Sequence, residues 1–154
     1  MKGEERLVEK TTLSISEQII KQNRDFFHIY SNIASGLGLS ESSFWIMYII
    51  SDSDNDYTQQ KICNEWLFSK QTINSAIKYL ADRGYIYLVQ ARSPDVRKKY
   101  IKLTCMGEKF VKNHIVCIHQ AEQNAIAKMT LQEQKNYLEL SEKYILGLRK
   151  TVNP

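Results

Sequence analysis

The chain has 154 residues, 43% hydrophobic and 25% charged, with 21 Lys or Arg against 17 Asp or Glu and a net charge of +4. This composition is globular and excludes a disordered chain, and one domain of this size buries roughly two-thirds of its unfolded surface without a metal or disulfide staple. The longest apolar run, Phe44 to Ile50, is far short of the ~20 residues of a membrane span.

Met1 through Thr12 is charged and holds no apolar stretch of the kind a secretory signal needs. The three cysteines, Cys63, Cys105 and Cys117, are scattered, with no C-x-x-C spacing. That argues against a disulfide framework and for a reducing compartment, so the expected address is the cytoplasm, with no membrane partner. The chain shows no internal repeat, and only Pro94 and Pro154 interrupt its helix-compatible stretches.

In chain order, the first helix is expected to open at Ser14, which has capping-box spacing to Glu17. Ile15, Ile19, Phe26, Tyr30, Ile33 and Leu37 then recur at helical spacing, and Gly36 and Gly38 end the element. Phe44–Ile50 is apolar throughout, so periodicity does not separate helix from strand; the serines at 40, 42 and 43 favour a helix start. An acidic loop, Asp52–Asp56, follows.

Thr58 is placed to cap a short helix, Gln59 to Trp66. Ser69 caps another that runs to Arg83, with Gly84 as its stop. In this second helix Ile73, Ile77 and Leu80 form the buried stripe. Ser69, Lys70, Gln71, Thr72, Asn74, Ser75 and Lys78 fall outside it. Two short helices joined by a tight turn read as a helix-turn-helix. Tyr85–Val89 and Tyr100–Leu103 read as paired strands. Between them, residues 91–99 form a polar, basic loop containing Arg92, Asp95, Arg97, Lys98 and Lys99. A helix-turn-helix followed by a basic hairpin is a winged helix.

Two long helices close the chain. One spans Thr104 to about Lys128, and the other opens at Thr130 with Glu133 as its capping-box partner. Leu131, Leu138, Ile145 and Val152 repeat every seven residues, with Tyr137, Tyr144 and Leu148 nearby. This stripe is open to two readings, packing on its own domain or a dimer interface.

The charge is unevenly spread. Tyr57–Lys112 holds eleven basic and four acidic residues, net +7, and the remainder is net −3. A basic module on an acidic frame suits phosphate binding, which gains affinity by releasing counterions. Gln71 and Asn74 carry amides suited to adenine edges, Lys70 and Lys78 reach guanine or phosphate, and Ser69 and Thr72 stand at a helix N-terminus where phosphates bind.

With these motifs in place, the sequence resembles the MarR family of winged-helix regulators. The resemblance is carried by residues 58–66, the run Ser69 to Leu80, Arg83-Gly-Tyr-Ile86, and Asp95-Val-Arg97 followed by Ile101-Lys-Leu-Thr104 and Gly107. It implies a homodimer on palindromic double-stranded DNA that usually represses, with a recognition helix in the major groove. By the same match Arg97 is the minor-groove probe and Asp95 its positioning partner. A narrow minor groove concentrates negative potential, a physical reason to place an arginine there.

Family members often release DNA when a ligand enters a cleft beside the dimerisation helices. Phe27, His28, Tyr30, Phe44, Trp45 and Tyr48 are candidates to line one, suited to an aromatic effector; ordinary core packing is the competing reading. His114 and Cys117 supply two zinc ligands where four are wanted, so no metal is assigned. Peroxide-sensing members resemble this chain but use a cysteine near the N-terminus, and none precedes Cys63 here. By helical position Cys63 and Cys117 are expected to be buried, leaving Cys105 as the thiol of interest.

No nucleotide-binding glycine loop and no H-E-x-x-H motif is present, so neither a catalytic residue nor a cofactor is expected. The expected fold is mainly α with a small β-hairpin wing. A DNA-binding lobe at about 42–104 is flanked by dimerisation helices at about 13–38 and 105–150, together forming a single MarR-type domain. Two alternatives remain: a winged helix used only for protein contacts, and a metal- or redox-responsive regulator of the same fold.

Overall fold

The computed structural model describes residues 2–51, 56–90 and 99–152, with side chains from residue 14 onward. It divides into two units, the first ending at Glu108 and the second beginning at Lys109.

The first unit starts with α1 (Lys2–Gly36), followed by α2 (Glu41–Ile50), β1 (Tyr57–Thr58), α3 (Gln59–Trp66), α4 (Lys70–Asp82), β2 (Ile86–Gln90), β3 (Lys99–Leu103) and the start of α5 (Cys105–Phe110). α1 begins well before the Ser14 start expected from the capping box. Residues 4–35 hold no glycine or proline, so nothing interrupts the helix. Ser14 sits inside it, its Oγ accepting from Gln18 Nε2 at 3.3 Å instead of capping an end.

Both α1 and α4 end in the same way. Gly38 (φ 69°) and Gly84 (φ 73°) take left-handed conformations that a side chain would strain. After α1 the Leu39 N–H donates to the Ala34 carbonyl at 2.9 Å; after α4 the Tyr85 N–H donates to that of Leu80 at 2.9 Å.

α2 is the centre of the core. Ser40 caps it, with the Ser43 N–H donating to Ser40 Oγ at 3.2 Å. Phe44, Ile46, Met47, Ile49 and Ile50 are all buried, which explains the unbroken apolar run. α2 lies against α1, α4 and β3, and the same core holds Tyr30 and Ala34 of α1, Ile62 of α3, Ile73, Ala76, Ile77 and Leu80 of α4, and Ile86 and Ile101 of the sheet.

The strands form an antiparallel sheet in the order β1-β3-β2, with Leu88 opposite Ile101 and Tyr57 also opposite Ile101. β1 was not expected. Two residues are too few to show alternation, and they become a strand only because β3 lies alongside. An ion pair between Lys102 and Asp56 adds to that pairing.

In the second unit, the single helix expected from Thr104 to Lys128 is interrupted. α5 gives way to a π-helical turn, Val111–Ile115, before α6 (Val116–Ile126). Val111 and Ile115, at its two ends, are both buried. α7 (Leu131–Val152) begins where the capping box placed it. The Thr130 N–H donates to Glu133 Oε2 at 2.7 Å, and the Glu133 N–H to Thr130 Oγ1 at 3.3 Å. The backbone N–H and the Thr130 hydroxyl hold the Glu133 carboxyl below its ordinary value. No residue of α7 is buried.

Candidate nucleic-acid interface

α3 and α4 form the helix-turn-helix. Thr58 Oγ1 accepts from the Lys61 N–H at 3.1 Å and so caps α3. Ser69 Oγ accepts from the Thr72 N–H at 3.1 Å and caps α4. Between them Leu67 is left-handed (φ 55°) and 79% exposed, a conformation that costs a non-glycine residue about 1–2 kcal/mol. Gln59 Nε2 donates to the Lys70 carbonyl at 3.4 Å, bridging the starts of the two helices. At the other end of α4, the Tyr79 hydroxyl donates to the Gly38 carbonyl at 3.2 Å.

The two faces of α4 are cleanly separated. Ile73, Ala76, Ile77 and Leu80 are buried, and Ser69, Lys70, Gln71, Thr72, Asn74, Ser75 and Lys78 are all exposed. Thr58 is half-buried, occupied in capping.

The motifs at the base of the hairpin interlock. The Thr104 N–H donates to the Tyr85 carbonyl at 3.0 Å, and Thr104 Oγ1 donates to the Gly84 carbonyl at 2.5 Å. The Gly107 N–H donates to Thr104 Oγ1 at 3.1 Å. A Cβ at Gly107 would lie 2.0 Å from the Tyr85 carbonyl oxygen. The Leu-Thr-x-x-Gly run is therefore the seat on which the turn after α4 rests. The sequence marked these residues as a motif but did not reveal this backbone contact.

Lys99 is exposed at the start of β3, opposite Gln90. Arg92, Asp95, Arg97 and Lys98 lie outside the described residues, as does most of the acidic loop.

The six aromatic candidates sit in the first unit but in different settings. Tyr30 and Phe44 are core residues, Trp45 and Tyr48 are half-buried, and Phe27 and His28 are exposed. Phe27 and His28 line an open groove along α1 with Arg24, Asp25, Ser31 and Glu41. Tyr30 stacks against Trp45, centroids 4.8 Å apart, and Trp45 against Trp66 at 5.7 Å. Trp66, at the end of α3, completes an aromatic series running from α1 to the helix-turn-helix. It was missed because nothing in its local sequence sets it beside Trp45.

The cysteine expectation needs correction. Cys117 is exposed and Cys63 only half-buried, with Cys105 exposed as well. Cys117 Sγ donates to the His114 carbonyl at 3.0 Å, which keeps it on the outside of its helix. Among the described residues no three His, Cys, Asp or Glu side chains gather to hold a metal. Among the same residues no single helix is long and apolar enough to cross a membrane.

A helix-turn-helix followed by a β2–β3 hairpin defines a winged-helix protein. Residues 37–98 match the sequence model of the MarR family. Among solved structures, a MarR family regulator from Neisseria meningitidis matches with a TM-score of 0.69 at 18% identity, over 88% of this chain and 94% of that one. MepR of S. aureus in a DNA-binding conformation matches with a TM-score of 0.72 at 16% identity, over 86% and 97%. The transcription regulator MarR from Oenococcus oeni matches with 0.69 at 14%, over 85% and 98%. No curated protein sequence matches the chain. The resemblance read from the sequence is borne out: residues 37–98 carry the MarR-family signature, and the chain has the fold of MarR-family regulators.

Proposed function

We propose that the protein is a sequence-specific regulator of transcription that binds palindromic double-stranded DNA as a homodimer. The observation that carries this reading is the division of α4 into a buried apolar stripe and a wholly polar, lysine-bearing outer face. Each protomer lays that face in a major groove, the two half-sites about one helical turn apart. MepR of S. aureus, which shares the fold, has been solved in complex with DNA. The net +7 over Tyr57–Lys112 supplies the phosphate attraction, and Arg97 of the wing enters the minor groove, positioned by Asp95.

The regulator acts as a repressor in the cytoplasm and is released by a small aromatic effector held among Phe27, His28, Tyr30, Phe44, Trp45 and Tyr48. Support for an effector site comes from the ring contacts that join Tyr30, Phe44, Trp45 and Tyr48, with Phe27 linked to them through Phe26 and His28 beside Phe27 in the groove along α1. Dimerisation rests on α1 and α7, whose apolar side chains are largely exposed.

Genomic footprinting with the full-length protein tests the reading, with discrete palindromic sites as the expected result. Binding to such a site should weaken steeply with salt, with a log–log slope several units negative. Arg97→Ala should lower affinity without changing the melting transition. A flat salt slope would favour a winged helix used only for protein contacts, and unchanged affinity in the Arg97 variant would remove the wing from the interface.

A further inference from the structure

The outer face of α4 is not uniform, and its phasing assigns different tasks to its polar residues. Gln71, Asn74, Ser75 and Lys78 follow the i, i+3, i+4, i+7 spacing of one helix face. The buried Ile73, Ala76, Ile77 and Leu80 follow the same spacing two residues on, so the two stripes lie back to back. At 3.6 residues per turn Gln71, Ser75 and Lys78 lie within about 30° of the direction opposite the buried stripe, and Asn74 stands about 70° to one side of it, still on the exposed face. Lys70 and Thr72 fall to either side of that line. The hydroxyl of Thr72 is also engaged, 2.7 Å from Ser69 Oγ.

We propose that Gln71 and Asn74 are the base-reading pair, and that the half-site presents adenines to them at two adjacent base pairs. The inference rests on the DNA-binding reading above and adds what the DNA must be. A Gln or Asn amide matches adenine in the major groove, its NH2 donating to N7 and its carbonyl accepting from the N6 amino group. Guanine is read most often by arginine or lysine; α4 carries no arginine, Lys70 lies off the outward direction, and Lys78 lies about 10 Å from Gln71 along the axis. Gln71 and Asn74 are about 4.5 Å apart along the helix axis at 1.5 Å per residue. The rise between base pairs is about 3.4 Å, so a helix lying along the groove brings the two amides to neighbouring pairs. Ser75 lies one residue beyond Asn74 on the other side of Gln71, and its hydroxyl can bond to either kind of base. Lys70 on the flank, and Lys78 about 10 Å beyond Gln71 along the axis, supply charge to phosphates.

The test is selection from a random-sequence duplex pool with the full-length protein, followed by binding of the selected duplex. Wild type should enrich two adjacent A·T pairs in each half-site. Gln71→Ala should lose the preference at one of them and Asn74→Ala at the other. Replacing either adenine by 7-deazaadenine, which lacks the N7 acceptor, should weaken wild-type binding roughly tenfold. The variant missing the matching amide should show no such loss. Lys70→Ala should lower affinity for all sequences alike and reduce the salt slope by about one. Enrichment of a defined site whose base preferences survive both amide substitutions would overturn the inference and leave the DNA-binding reading intact. No enrichment of any site would overturn both.

Discussion

α4 and α7 look alike as sequences and differ as structure. Both carry apolar residues at helical spacing with polar residues between them. In α4 the stripe Ile73, Ala76, Ile77 and Leu80 is buried in its own unit. In α7 the heptad residues Leu131, Leu138, Ile145 and Val152 are 77%, 68%, 48% and 71% exposed. Periodicity announces that a face needs covering, because apolar surface is costly in water. It does not say whether the cover belongs to the same chain.

Four measurements separate the two helices and the contacts that support them. The largest effect is expected from removing α7 by truncation after Met129, which should convert the proposed dimer to monomer in sedimentation; a truncated dimer would take α7 out of the proposed interface. Next, equivalent truncations at single residues should behave differently in the two helices. Ile73→Ala should cost about 4 kcal/mol at every protein concentration, whereas Leu138→Ala should cost stability only where the dimer is populated. Urea melts across a concentration series separate the two. Gly107→Ala should cost about 3 kcal/mol, since its Cβ meets the backbone oxygen of Tyr85 rather than a movable side chain; a melt unchanged from wild type would contradict the close contact.

The smallest effect concerns the start of α7. The Glu133 carboxyl is held low by Thr130, so the charged form is the one that caps. A group with a lowered folded value stabilises above its ordinary 4.5 and loses that contribution as the pH falls through the lowered value. Relative to the intrinsic rate at each pH, the protection of amides in the first turn of α7 should therefore fall on acidification in wild type. In Glu133→Gln, where the amide still caps, it should change little.

Much of the winged helix was legible because its signals are local. Thr58 and Ser69 cap their helices as expected, and Gly84 stops α4 through a left-handed turn that only backbone chemistry requires. The α4 core stripe was visible from its spacing, with only Ala76 added. The misses share a different cause. β1 exists because β3 is beside it, the π-helical turn at Val111–Ile115 has no local marker, and Trp66 matters through its contact with Trp45. Each depends on a partner distant in sequence or on a register that local propensity does not encode. Ser14 is the converse case, a valid capping signal overridden by helix formers on both sides.

The sequence alone determined the caps of α3, α4 and α7, the polar composition of the α4 face and the concentration of positive charge over Tyr57–Lys112. These follow from side-chain chemistry and short-range backbone geometry. The tertiary structure decided which apolar faces are covered and which are left open. It left Gln71 and Asn74 exposed on the face away from the core, and it turned Leu-Thr-x-x-Gly from a pattern into a backbone seat under Tyr85. Burial is a property of neighbours, and neighbours far apart in the chain are brought together only by the fold.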